Sequence, residues 1–111
     1  MIRVHLYTKN GIVWRFVLKG HAGYDEHGKD IVCAAVSVLV MNTIMAIDRF
    51  TNEEMQTKAD EDSGFIECVF PNRKQGKYEE ESELLIKTMI LGLTEIKDQY
   101  GEEYITIAVN D

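Results

Sequence analysis

Ile2, Val4 and Leu6 alternate with Arg3, His5 and Tyr7, the period-two pattern of a strand with one buried face. Asn10-Gly11 follows, a pair suited to the positive backbone angles of a tight hairpin turn. Ile12 to Leu18, rich in β-branched and aromatic residues, predicts the returning strand. That strand ends at Lys19-Gly20 and leaves His21 just off its end. The pattern then changes, because Ile31 to Ile47 contains no charged residue at all. Such a run is too long for an ordinary strand, and with Asp30 as N-cap it predicts a helix reaching about Phe50. Being apolar nearly all round, this helix is expected to be covered on most sides, by the sheet and by a partner subunit.

Met55, Thr57 and Ala59 predict a weaker third strand, and Asp62-Ser63-Gly64 supplies turn chemistry after it. Phe65 to Phe70 alternates again, with Ile66, Cys68 and Phe70 on one face, until Pro71 stops it. Residues 71–78 read as a polar connection. Leu85, Met89, Leu93, Ile96 and Tyr100 recur at helical spacing, which predicts a helix from Glu80 or Ser82 to Tyr100. Glu79 to Glu81 suit its N-terminus and Gly101 its end. Tyr104 to Val109 predicts a last strand with Ile105, Ile107 and Val109 on one side. The order is ββαββαβ: a single small α/β (α+β) domain over residues 1–111, with a largely antiparallel sheet and two helices.

Composition narrows the function. At 45% hydrophobic and 28% charged, the chain is of ordinary globular type. A formal charge of −7 and no basic stripe argue against nucleic-acid binding and favour a basic partner. The opening MIRVHLYTKNG places charge and turn residues where a signal peptide is apolar. Ile31–Ile47 is shorter than the ~20 residues of a membrane span and includes Ser37, Asn42 and Thr43. A cytoplasmic protein is expected, with no membrane contact, and with Cys33 and Cys68 as free thiols.

The candidate chemistry lies in residues 20–37, GHAGYDEHGKDIVCAAVS. The predicted helix places Cys33 in its first turn, where free N–H groups and the helix dipole favour a thiolate and an oxyanion. His21 can fold back over this helix end and exchange a proton with the thiol, the minimum required for acyl transfer. Gly23 and Gly28 would let the loop between them move as a lid, with Tyr24 and His27 on it. Ser37, one turn beyond Cys33, can support the site. Asp30 either caps the backbone or orients His21, and its charge opposes thiolate formation. Other readings stand beside this one. Cys33 could be a small core residue, as Cys68 in mid-strand and His5 are taken to be structural. His21, His27 and Cys33 are also of zinc-ligand type, though their spacing follows no standard zinc motif.

Gly20-His21-Ala22-Gly23 followed by Gly28-Lys29-Asp30-Ile31-Val32-Cys33-Ala34-Ala35-Val36-Ser37 resembles the signature of the ribosomal-processing cysteine protease family, Prp. The likeness in length and element order extends over essentially the whole chain. It implies a cofactor-free, homodimeric cysteine endopeptidase. Its substrate would be the N-terminal extension of large-subunit ribosomal protein number twenty-seven, cut after a short motif ending in aromatic residues. By the same resemblance His21 is general base and acid, Cys33 is the nucleophile, and Gly20, Asp30 and Ser37 support them. The loop from Ala22 to Lys29 becomes a cover that orders on substrate. The alternative is a non-enzymatic dimeric module that binds a basic ribosomal protein through the glycine loop.

Overall fold

Asn10 and Gly11 take φ of 54° and 79°, the paired positive angles that an Asn-Gly turn favours, and the chain folds back on itself. This hairpin joins β1 (Ile2–Lys9) to β2 (Ile12–Lys19) in a computed structural model that describes residues 1–26 and 29–111. Next come α1 (Ile31–Phe50), β3 (Gln56–Asp60), β4 (Phe65–Val69), a 3-10 turn at Pro71–Gln75, α2 (Glu80–Tyr100) and β5 (Ile105–Asn110). The order ββαββαβ is the expected one. The strands form a single sheet, β3-β4-β2-β1-β5, antiparallel except where β5 runs parallel to β1.

Register places Val4 beside Leu18, Leu6 beside Phe16, and Phe16 beside Cys68, so these side chains share one face of the sheet. Both helices lie on that face: Val32, Val36, Val40 and Ile47 of α1 and Ile86, Met89 and Leu93 of α2 join the same core. Burying each such side chain contributes about 1.5–3 kcal/mol. The helices approach closely at Gly92, where a β-carbon would sit 2.6 Å from a Leu39 methyl.

One expectation is met in part and one needs correction. The first concerns α1, which is long and apolar enough to cross a membrane by length and composition alone. One face is instead built into the core, and the chain leaves the opposite face uncovered. Ile31, Val38 and Met45, seven residues apart, are 52%, 69% and 47% exposed. Sheet and helix packing within one chain cover only one stripe of the helix, and the other stripe is the one left for the expected partner subunit.

The second concerns residues 71–78, which are more than a polar connection. The 3-10 turn buries Arg73, whose guanidinium uses all five of its donors. Nε and one Nη donate to Glu53 at 2.8 and 3.1 Å, and that same Nη reaches Ser82 Oγ at 3.2 Å. The other Nη donates to the Val13 carbonyl at 3.0 Å and to Glu83 at 2.7 Å. Ser82 in turn donates to Glu53. The cluster joins the start of β2 to the start of α2, at the opposite end of β2 from His21.

Candidate active site

Three pieces of backbone converge where β2 ends. Gly20 turns the chain with φ of 91°, and a β-carbon there would lie 2.5 Å from the Met1 carbonyl oxygen. The N-terminus of α1 faces this corner, and the β3–β4 turn closes it from the third side. Between them lies a cavity of about 600 Å³, a size that holds a peptide segment or small ligand. His21, Cys33, Gly20, Gly23, Asp30 and Ser37 all line it, so the fold brings the sequence-predicted residues together.

Asp30 resolves as a cap. Its Oδ1 accepts the N–H groups of Val32 and Cys33, each at 3.0 Å. Its Oδ2 accepts those of Tyr24 at 2.9 Å and Asp25 at 3.5 Å. Burial raises the carboxyl pKa, but the N–H donors of Cys33, Tyr24 and Asp25 outweigh it, and the pKa falls below the ordinary value. The expectation that N–H groups at the helix mouth are open to an oxyanion therefore fails at Val32 and Cys33. A side chain that caps a helix takes the same N–H groups an anion would use.

Cys33 is half-buried, and its Sγ accepts the Ala22 N–H at 3.0 Å. Burial is the main cause that lifts its thiol pKa above the ordinary value; the Ala22 N–H opposes this, and the Asp30 charge adds to it. These surroundings favour the thiol, against the thiolate that the helix dipole was expected to favour. A thiol that attacks must hand its proton to a base as it does so. Cys68 is wholly buried in β4, where burial pushes its thiol up to about 12, and it belongs to the core as expected.

His21 lines the same cavity as Cys33, and its ring Nε2 lies 2.8 Å from the main-chain oxygen of Asp62. Nothing in the residue types of the sequence points to a main-chain partner of this kind. Gly23, with φ of 74°, lines the cavity, while Ser37 is exposed at its edge. Tyr24 packs edge-on against Tyr100 and Tyr104, with ring centroids 5.6 and 5.2 Å away. The first half of the loop is therefore tied both to the α1 cap and to the end of α2. His27 and Gly28, expected on the moving cover, lie outside the described residues. Among the described residues, no three His, Cys, Asp or Glu side chains are grouped to hold a metal ion.

A family model described as cysteine protease Prp matches residues 1–106. The chain belongs to the cysteine protease Prp family. It is 33% identical over 87 residues to the ribosomal processing cysteine protease Prp of Bacillus subtilis, a match covering 78% of each chain. To the Prp of Staphylococcus aureus it is 32% identical over 103 residues, covering 92% of this chain and 93% of the other. A crystal structure of the S. aureus Prp, in complex with a covalently linked product peptide, superposes with a TM-score of 0.90. The two are 28% identical, and the superposition covers 99% of this chain and 100% of that one. A second S. aureus Prp structure, with a substrate peptide, matches at a TM-score of 0.82 and 27% identity. Membership in the Prp family makes the chain a cysteine protease with this five-stranded fold.

Proposed function

We propose that this protein is a cytoplasmic endopeptidase that removes the N-terminal extension of large-subunit ribosomal protein number twenty-seven, using His21 and Cys33 as its catalytic pair. The observation that carries the reading is the shared cavity. Of the two cysteines, Cys33 lines it beside His21, while Cys68 is sealed in the core. Asp25, Asp60 and Glu61, which line the same cavity, favour a basic chain, as a ribosomal protein is.

In this mechanism His21 takes the thiol proton as Sγ attacks the scissile carbonyl carbon. The Ala22 N–H, already aimed at Sγ, stabilises charge at the reacting centre. As the tetrahedral intermediate collapses, the C–N bond breaks and His21 gives its proton to the departing amine, which is the mature ribosomal protein. The extension stays on Cys33 as a thioester. Water then attacks that thioester with His21 as base, releasing the extension as a carboxylic acid and restoring the thiol. No cofactor is needed for any step.

The test is incubation with the extended ribosomal protein, followed by intact-mass spectrometry. One product, shortened at its N-terminus, is expected, with the mature form left uncut. An extended form that survives incubation with folded protein contradicts this choice of substrate.

The working unit is a homodimer in this reading, joined along the exposed stripe of Ile31, Val38, Met41 and Met45 on α1. An uncovered apolar stripe of this length, repeated on a second copy, suits a two-fold interface. Sedimentation at the dimer mass is expected, with Val38→Asp shifting the protein to monomer. A native protein that sediments as a monomer at all concentrations refutes the dimer.

A further inference from the structure

A catalytic histidine works best when its second nitrogen is held, because this fixes both the tautomer and the direction of the first. In this protein the holding group is a main-chain carbonyl. Nε2 of His21 lies 2.8 Å from the Asp62 oxygen, and a carbonyl can only accept, so Nε2 carries the hydrogen. In the neutral ring Nδ1 is then the nitrogen with the lone pair.

We infer that the β3–β4 turn, Glu61 to Gly64, is the positioning element of His21: the Asp62 carbonyl orients the ring, and Gly64 lets the turn come close enough to do so. The inference rests on His21 being the base of the proposed pair, and it assigns that role to Nδ1. No side chain at position 62 is involved.

The turn is built for this approach. The Asp62 N–H is held by Asp60 Oδ1 at 3.1 Å, and the Gly64 N–H by the Glu61 carbonyl at 3.2 Å. Gly64 has φ of 67°, and a β-carbon there would fall 2.3 Å from the Gly20 carbonyl oxygen and 3.3 Å from His21 Cε1. Any side chain would therefore push the turn away from the residue that precedes His21 and from the imidazole itself. The turn is anchored on both sides, since Asp60 pairs with Phe65 and β4 pairs with β2, the strand that delivers His21. Adjacent strands of one sheet thus set the distance between ring and carbonyl. As the ring becomes imidazolium, its hydrogen bond to the Asp62 oxygen becomes charge-assisted and stronger, which supports the proton transfer.

The test combines two-bond 1H–15N correlation spectra, which report the tautomer of each histidine, with steady-state cleavage. His21 is expected as the Nε2–H tautomer in the native protein, a readout that does not depend on any peptidase activity. Gly64→Ala is expected to mix the tautomers and to lower kcat by about 100-fold, with KM changed by less than about twofold. Gly76→Ala is the control: it also adds a β-carbon at positive φ, 78°, but into open space remote from His21, and it should keep both tautomer and kcat. An Nδ1–H tautomer in the native protein overturns the inference, and so does a folded Gly64→Ala with native kcat. If Gly64→Ala does not fold, the native tautomer alone decides. Normal cleavage by Cys33→Ala would remove the catalytic pair while leaving the tautomer assignment untouched, so the two failures are distinguishable.

Discussion

Replacing Cys33 with alanine lowers cleavage by about 10⁴-fold or more while the protein stays folded, because the covalent route is lost entirely. The structural cost is small. The Ala22 N–H loses its acceptor and the Asp30 carboxylate its thiol neighbour, an effect of about 1 kcal/mol at a half-buried position. Cys33→Ser, which keeps an acceptor there, is expected to be as inactive, which separates chemistry from packing. His21→Ala behaves differently. The base contributes about 10²–10⁴-fold, and the remaining activity depends on the fraction of thiolate present without it. Since the Cys33 thiol lies above its ordinary value of 9.0, that fraction is small at neutral pH and grows as pH rises through 9 and beyond. The residual kcat/KM of His21→Ala should climb steadily over that range. A flat profile between pH 7 and 10 would place the thiolate elsewhere on the scale.

Arg73→Met carries the largest expected loss of stability, about 3–5 kcal/mol, from a total that for such domains is about 5–15 kcal/mol. The side chain is 1% exposed, and its five hydrogen bonds go to Glu53, Glu83, Ser82 and the Val13 carbonyl. Without it, two carboxylates stand close together in the interior with no cation. Arg73→Lys recovers little, because an ammonium cannot reproduce the fork that meets both oxygens of Glu53. Burial raises the Glu53 pKa, but the hydrogen bond and charge of Arg73, with Ser82 and the Glu79 N–H, carry it below the ordinary 4.5. A carboxyl depressed on folding stabilises the protein above its unfolded value and loses that effect as pH falls through the folded one. The native protein should therefore lose stability below about pH 4.5, and Arg73→Met should lose less of its own there. Urea unfolding at pH 7 and pH 4 checks both. The folded fraction of the variant should keep native kcat, since the cluster sits at the far end of β2 from His21.

Much of the fold was legible because local chemistry and periodicity agreed. Asn10-Gly11 marks the hairpin, Asp30 marks the start of α1, and the alternation through Cys68 and Phe70 marks the buried face of β4. Arg73 was hidden because its partners are scattered over positions 13, 53, 82 and 83, and a charged residue after Pro71 reads as solvent-facing. The pairing of His21 with Cys33 was visible in residue types. The groups that tune it were less so, since the Asp62 carbonyl and the Ala22 N–H belong to the backbone and have no signature in side-chain identity. One signal was available: an N-cap aspartate consumes helix-mouth N–H groups, so Asp30 already argued against an open oxyanion site there. Gly64 read only as a turn glycine, because its close approach to Gly20 arises from strand pairing across the sheet.

The central claim is that Cys33 is the nucleophile, and the acyl-enzyme tests it most directly. The native protein and Cys33→Ala are each mixed with the extended ribosomal protein, quenched in acid during turnover, and measured by intact-mass spectrometry. The native protein is expected to gain a mass equal to the released extension less one water, located on Cys33, with the shortened product beside it. The alanine variant should show neither. Shortened product from the folded alanine variant at the native rate would contradict that role for Cys33.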